Sequence, residues 1–199
     1  MIINILGNGP SLKKYSWKRD ITTIGTNWIL NHKKFFELSD NYYVVYDERF
    51  LFEKKNNWIG LLKKINYQKI YVPKQWINYN LVYKKFNALE DMKKKNVLID
   101  MYFDKFYNKV DNVIFKCAIP LALYLKSDKI RLYGCDFDYD IKDDETLNDF
   151  SYFYDKENHK TEFKHTINSA KEWSIKSKET FNLIKEYLEK YSIIIENKS

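Results

Sequence analysis

The chain has 199 residues, 45% of them hydrophobic and 31% charged, which suits a single folded domain and excludes a collagen-like or disordered low-complexity chain. The net charge is +7, yet only three of the 34 basic residues are arginine, the side chain whose planar fork suits phosphate and guanine edges. Solvated surface lysines explain this charge better than a nucleic-acid partner, which is not expected.

Short β-branched runs alternate along the chain with stretches in which apolar residues recur at three- and four-residue steps. The predicted strands cover residues 2–6, 21–25, 42–46, 69–72, 129–134 and 193–195. The predicted helices cover residues 28–37, 50–65, 113–125 and 168–190. Because neighbouring parallel strands need crossover connections, this alternation predicts an α/β, Rossmann-like fold, with a mostly parallel sheet and helices on both faces, in one domain over residues 1–199.

The cysteines, Cys117 and Cys135, do not have the spacing of a zinc site or of a CxxC motif. The sequence also contains neither a signal-peptide core nor an apolar run approaching the roughly 20 residues of a membrane span. These features predict a cytoplasmic protein with two reduced thiols.

Ligands of parallel α/β sheets bind beyond the carboxyl ends of the strands, so the loops at those ends carry the candidate site. These loops are residues 7–11, 26–28, 47–49 and 135–139. In the first loop, Gly7 and Gly9 would let backbone amides approach a phosphate, and Ser11 would cap the following helix. The loop matches neither the dinucleotide fingerprint nor the P-loop, so a turn without a ligand is the alternative interpretation.

Several segments at these strand ends together resemble a known group of proteins. They are Gly7-Asn8-Gly9-Pro10-Ser11-Leu12, Asn27, Tyr46-Asp47, Cys117-Ala118 and residues 129–137. This pattern resembles the bacterial family 42 sialyltransferases, whose Rossmann-like (GT-A-like) core is shared by MptE-like pterin diphosphokinases and Maf-type flagellin glycosylation proteins. The resemblance covers about residues 1–50 and 112–190.

The resemblance implies a site for a CMP-activated sugar. Its donor-binding residues would come from the first loop, the strand ends and the start of the helix at 113, namely Gly7, Asn8, Gly9, Ser11, Asn27, Asp47, Asn112, Asp136, Phe137 and Asp138. Three of these depart from the family pattern: Asp47 replaces an asparagine, Asn112 replaces a serine, and Asp138 replaces the first of two tyrosines that neutralise the departing phosphate. Tyr139, Tyr152 and Tyr154 are the candidates to supply that tyrosine function.

His165 is the predicted general base. Family enzymes place a histidine at the end of a lid, in the pattern H-[ST]-x-N, and His165-Thr166-Ile167-Asn168 matches it, with residues 140–165 as the lid. An imidazole with a pKa of about 6.5 suits the removal of a proton from an acceptor hydroxyl near neutral pH. The alternatives are that His165 is simply exposed near a helix start, or that His159 is the base.

These features predict a glycosyltransferase that moves a sialic-acid-like sugar from a CMP-linked donor to a surface-glycan acceptor of lipopolysaccharide or capsule. No cofactor is required under this hypothesis, and association with the inner membrane and self-association are both compatible with it. One alternative is ATP- and Mg²⁺-dependent pyrophosphate transfer, with Asp47, Asp136 and Asp138 as metal ligands. Another is a module that binds a nucleotide or sugar without catalysis.

Overall fold

The computed structural model describes residues 1–46, 61–62, 64–65, 69–72, 112–137 and 167–199, with side chains from 171 onward in the last range. Within these residues the chain forms one six-stranded sheet in the order β4-β3-β2-β1-β5-β6. All neighbouring strands run parallel. The strands are β1 (Ile2–Leu6), β2 (Thr22–Thr26), β3 (Asn41–Val44), β4 (Ile70–Tyr71), β5 (Lys129–Tyr133) and β6 (Ile194–Asn197).

Hydrophobic cores cover both faces of this sheet. One core joins β-strand residues such as Ile5 and Ile130 to the helices that precede β5 and β6. The other joins Leu6 and Tyr43 to the connections that follow β1 and β2. Ile5 and Leu6 are neighbours in β1 and point to opposite faces, as the two-residue period of a strand requires. The α/β, Rossmann-like fold with helices on both faces is therefore confirmed.

The helix predicted over residues 113–125 forms with a wide first turn. Ile114–Ala118 is π-helical and continues into α1 (Ile119–Tyr124), and the Ile119 N–H donates to the carbonyl of Ile114, five residues back. Pro120 has no N–H for the carbonyl of Lys116, and its ring crowds that carbonyl. A wider turn ahead of the proline avoids this clash, which accounts for the π-helical geometry.

The segment predicted as a helix over residues 28–37 is instead two short 3₁₀ helices, Asn27–Asn31 and Lys33–Glu37. These turns bring Ile29 and Phe35 in against Gly25 of β2. A Cβ built on Gly25 would lie 2.5 Å from the Phe35 ring and 2.6 Å from Ile29. Close packing of two large side chains on a glycine thus determines this short crossover more than helix propensity does. Most of the helix predicted over residues 50–65 lies outside the described residues.

The C-terminal helix and the edge strand agree with the sequence prediction. Helix α2 (Ile167–Glu189) buries Ile184 and Leu188, while Trp173 and Phe181 pack partly buried against the same core. The chain then turns into β6, which pairs with β5 at the edge of the sheet.

Glu196 of β6 lies among three cationic side chains. The Nζ of Lys129 is 2.8 Å from its carboxylate, the Nζ of Lys198 is 3.2 Å away and the Nε of Arg131 is 3.5 Å away. The hydrogen bond from Lys129 is the largest of the effects that lower the pKa of the Glu196 carboxyl from 4.5 to about 2. The ionised carboxylate therefore stabilises the pairing of β6 with β5.

We expect Glu196→Gln to lower the urea midpoint of unfolding at pH 7. A carboxyl whose folded pKa is lowered stabilises the fold above its unfolded pKa of 4.5, and that contribution disappears as the pH falls toward about 2. The difference between wild type and Glu196→Gln should therefore narrow progressively in urea titrations between pH 5 and about pH 3. Glu186→Gln, at an exposed position on α2, is the control. A difference independent of pH would contradict the assignment.

Candidate functional site

The site predicted at the strand ends lies where the strand order of the sheet reverses. β1 pairs with β2 on one side and with β5 on the other, so the loops after β1 and β5 leave the sheet side by side. The two backbones stay joined beyond the strands: the Gly7 N–H donates to the carbonyl of Tyr133 at 2.8 Å, and the Gly9 N–H to that of Gly134 at 2.7 Å. In open α/β sheets this switch point is where a ligand crevice forms.

Glycines permit this close approach of the two loops. A Cβ on Gly7 would lie 2.3 Å from the Gly134 carbonyl oxygen, and a Cβ on Gly9 would lie 1.9 Å from Oδ2 of Asp136. Gly134 has φ +64°, in the left-handed region that side chains other than glycine rarely adopt. The glycines of the first loop are therefore used for contact with the protein's own β5 loop.

Asp136 fastens the first loop from the β5 side. Its Oδ2 accepts hydrogen bonds from the Ser11 hydroxyl at 2.8 Å and from the Ser11 N–H at 3.2 Å. Ser11 was expected to cap the following helix, and this expectation is wrong: the 3₁₀ helix Pro10–Lys14 begins after Gly9 and has no side-chain cap. These contacts make Asp136 an acceptor that anchors the first loop.

The N–H groups of the first loop are largely consumed within the protein. Those of Gly7 and Gly9 donate to the β5 loop, that of Ser11 to Asp136, and Pro10 has none. The expectation of a backbone cradle for phosphate is therefore wrong for most of the loop. Among the described residues, only the Asn8 N–H in this loop has no hydrogen-bond acceptor.

Asn8 is the residue of the first loop with unused hydrogen-bonding capacity. Its side-chain oxygen is buried and finds no partner among the described residues. A buried acceptor without a donor is costly, about 1 to 3 kcal/mol, so such groups in folded proteins call for an explanation. A ligand donor at the switch point would satisfy Asn8, as a nucleotide-binding role requires.

Asn27 stands at the end of β2 in a left-handed backbone conformation, with φ 45°. Its carbonyl accepts the Tyr43 hydroxyl at 2.8 Å, and its Oδ1 faces the Tyr46 N–H at 3.5 Å. Asparagine tolerates this conformation better than most residues. Asn27 therefore joins the ends of β2 and β3. Its side-chain amide lies at the carboxyl edge of the sheet, where the sequence predicted it.

Asn112 is buried at the start of the π-helical turn, and it acts as the cap of the helix. Its carbonyl accepts the Lys116 N–H at 2.9 Å, and its Oδ1 accepts the Ile114 N–H at 2.7 Å. This is the pattern by which asparagine satisfies otherwise unpaired N–H groups at a helix start. Its oxygen is thus committed to the fold.

Phe137 belongs to the hydrophobic core. It is 6% exposed, and its ring lies 5.2 Å from that of Phe115 and 5.7 Å from that of Phe181. Its carbonyl accepts a hydrogen bond from the Ser174 hydroxyl of α2. The side chain predicted to bind the donor therefore packs between helices, and its backbone ties the β5 loop to α2.

The remaining predicted site residues lie outside the described part of the chain. They are Asp47, Asp138, Tyr139, Tyr152, Tyr154 and His165, together with His159 and the predicted lid over residues 140–165. Of the three acids considered as Mg²⁺ ligands, Asp136 has a described position. Within the described residues no three His, Cys, Asp or Glu side chains form a metal cluster, and no helix has the length and apolar character needed to cross a membrane.

Lys116 is a polar residue near the site that the sequence analysis missed. It lies half-buried in the π-helical turn, and its Nζ donates to the Tyr46 hydroxyl at 3.0 Å. Two cysteines lie near this edge of the fold. Cys117, next to Lys116, is half-buried, and Cys135 is buried. Burial raises the pKa of the Cys135 thiol, which keeps the thiol neutral. Because a lysine in an apolar helix has no motif around it, only the fold reveals its position.

Comparison with known proteins supports the fold. No protein-family model and no curated protein sequence matches the chain. A crystal structure of the sialyltransferase CST-II with a trisaccharide acceptor and CMP matches 99% of this chain and 80% of its own, at 16% identity and a TM-score of 0.51. CstII from Campylobacter jejuni with a substrate analogue, cytidine-5'-monophosphate, matches 98% of this chain and 79% of its own, at 15% identity and the same TM-score of 0.51. The fold is sialyltransferase-like, and neither structure is a pterin diphosphokinase.

We expect Gly9→Ala to destabilise the protein by about 1 to 3 kcal/mol, because the added methyl overlaps Oδ2 of Asp136. The backbone of Gly9, with φ −72° and ψ 162°, suits alanine, so the overlap is the main cost. Asp136→Ala removes the overlapping oxygen, and the double variant should therefore lose less than the sum of the single losses. Urea unfolding of the four proteins measures this coupling; strict additivity would contradict the contact.

Proposed function

We propose that the chain is a glycosyltransferase that moves a sialic-acid-like sugar from a CMP-linked donor to a glycan acceptor. One observation carries the proposal: the buried Oδ1 of Asn8, which has no partner among the described residues, stands at the switch point between β1 and β5, in a fold like that of sialyltransferases solved with CMP. A site that presents unpaired polar atoms at the carboxyl edge is prepared for a polar ligand. These two structures support the proposal through their fold.

In this proposal the side chains, more than the backbone of the first loop, hold the nucleotide. Asn8 offers a buried oxygen and an N–H that have no partner in the described part of the chain, and Asn27 offers its amide at the end of β2. Asp136 accepts from Ser11 and has a second carboxylate oxygen for a ribose hydroxyl. Hydroxyl and amino groups of a nucleoside are the complementary partners for such acceptors.

The transfer itself needs a base and a site for the departing charge. The acceptor hydroxyl oxygen forms a bond to the anomeric carbon while its proton passes to His165. The bond from that carbon to the phosphate oxygen breaks, and its electron pair leaves with CMP as added negative charge on the phosphate. Donors already aimed at that charge would lower the barrier, and Tyr139, Tyr152 and Tyr154 are the candidates.

The biological setting in this proposal is the assembly of a surface glycan. We propose that the protein works in the cytoplasm without a metal cofactor, and this proposal is compatible with association with the inner membrane and with self-association. Pyrophosphate transfer from ATP with Mg²⁺ bound at Asp47, Asp136 and Asp138, and ligand binding without turnover, are the alternatives that the experiments below distinguish.

We expect CMP to raise the melting temperature in the presence of EDTA, since a ligand that binds only the folded state stabilises it. Asn8→Ala should weaken CMP binding about tenfold, or about 1.4 kcal/mol, without lowering stability in the absence of CMP, because it removes a buried unsatisfied oxygen. Asn31→Ala, at an exposed position, is the matched control.

The outcomes of this titration separate the hypotheses. Unchanged CMP affinity in Asn8→Ala would remove the basis of the proposed donor site. A shift that appears with ATP and Mg²⁺ and not with CMP would instead support pyrophosphate transfer. The absence of a shift with any nucleotide would contradict both of these functions.

We expect His165→Ala to reduce transfer from CMP-linked sialic acid to an oligosaccharide by about 10² to 10⁴-fold, as loss of a general base does, while CMP affinity stays the same. His159→Ala should retain activity and serves as the control. Release of CMP with and without acceptor measures turnover. Undiminished turnover in His165→Ala would reject this residue as the base, and CMP binding without turnover in wild type would favour a binding module.

A further inference from the structure

The π-helical turn Ile114–Ala118 brings a positive charge to the carboxyl edge of the sheet. The Lys116 N–H donates to the carbonyl of Asn112, so the lysine lies one turn after the capping residue. Its side chain extends from the helix to Tyr46, just beyond β3, where Nζ is 3.0 Å from the hydroxyl and 4.7 Å from the ring centre. A hydrogen bond and a cation–π contact therefore fix the ammonium group at this edge.

Tyr46 connects the ammonium group to the proposed donor site. Its N–H faces Oδ1 of Asn27 at 3.5 Å, while its hydroxyl accepts from Lys116. Lysine normally loses much rotamer freedom when it binds a ligand. Here Tyr46 restricts that freedom before a ligand arrives, so the charge is preorganised at the end of β3.

Among the described groups, the Asp136 carboxylate disfavours an anion at the first loop, whereas the Lys116 ammonium favours one at the end of β3. At the first loop, the N–H groups of Gly7, Gly9 and Ser11 already donate to protein acceptors, and the Asp136 carboxylate contacts Ser11. An oxyanion seated on that loop would meet few donors and a like charge. The ammonium group at the end of β3 donates to Tyr46, and an ammonium group binds phosphates and carboxylates as a point charge.

We propose that Lys116, positioned by Tyr46, binds an oxyanion of the donor: the phosphate of the nucleotide or the carboxylate of the sugar. The identity of the ligand in this assignment rests on the proposed function. The position of the oxyanion site rests on the contacts that Lys116 and Asp136 make in the structure. Lys116 is a binding residue in this role, and Tyr46 is a positioning residue.

The test compares Lys116→Gln with wild type for cytidine, CMP, CMP-linked sialic acid and inorganic pyrophosphate, by calorimetry or thermal shift. In Lys116→Gln we expect one of two affinity ratios to fall about tenfold: that of CMP to cytidine, or that of CMP-linked sialic acid to CMP. We also expect salt to weaken the binding of these ligands less in Lys116→Gln than in wild type. The first ratio reports a phosphate contact and the second a carboxylate contact. Lys185→Gln, exposed on α2, is the control and should leave both ratios unchanged.

Two further variants separate ligand binding from a structural role. Lys116→Arg keeps the charge and should largely restore the ratio that Lys116→Gln loses. Tyr46→Phe removes the hydroxyl that holds the ammonium group, and should lower the same ratio by a smaller factor. If Lys116 only fastens the helix to β3, both Lys116→Gln and Tyr46→Phe will lower the melting temperature and leave both ratios unchanged, which would overturn the assignment.

The pyrophosphate probe keeps this inference distinguishable from the proposed function. If CMP does not bind but pyrophosphate stabilises the wild type and not Lys116→Gln, the oxyanion site stands and the CMP-donor function fails. If CMP binds and both ratios survive in Lys116→Gln, the function stands and the Lys116 assignment fails. If neither CMP nor pyrophosphate stabilises the wild type, both are rejected.

Discussion

The backbone contact between the loops after β1 and β5 is the constraint on which the rest of the site depends. Gly7 and Gly9 donate to carbonyls of the β5 end at 2.8 and 2.7 Å, so the two loops continue the sheet where its strand order reverses. The glycines make this approach sterically possible, and Gly134 supplies the left-handed turn that ends it. The contact between Ser11 and Asp136 is made across this joined pair of loops.

This constraint changes how the site can recognise a nucleotide. In a phosphate-binding loop the glycine N–H groups point at the ligand, whereas here most of them donate to the protein itself. In the proposed function, recognition would therefore depend on side chains such as Asn27 and Asn8, whose buried oxygen has no partner among the described residues. The two loops are held together by their own hydrogen bonds, and the buried Asn8 oxygen beside them is an acceptor that a ligand can satisfy.

The sequence predicted the sheet well because each strand is a short β-branched run between polar loops, and Ile2–Leu6 was located without error. It failed where tertiary contact decides geometry. The turns at residues 28–37 are governed by packing on Gly25, and Ser11 gives its hydroxyl to Asp136 because a loop distant in sequence lies beside it. Phe137 looked like a site residue from its position after a strand, and only the helices around it show that it is core.

The balance of charge explains why a lysine at this edge matters to the proposed reaction. Asp136 already places a carboxylate at the β5 end, and Asp47 in the sequence follows the end of β3 where the resembling family has an asparagine. A CMP-linked sialic acid adds a phosphate and a carboxylate, and bond cleavage adds further negative charge to the phosphate. Like charges close together at low dielectric strongly oppose binding. A cation fixed beforehand, as Lys116 is by Tyr46, offsets this repulsion without the reorganisation that a mobile side chain would require.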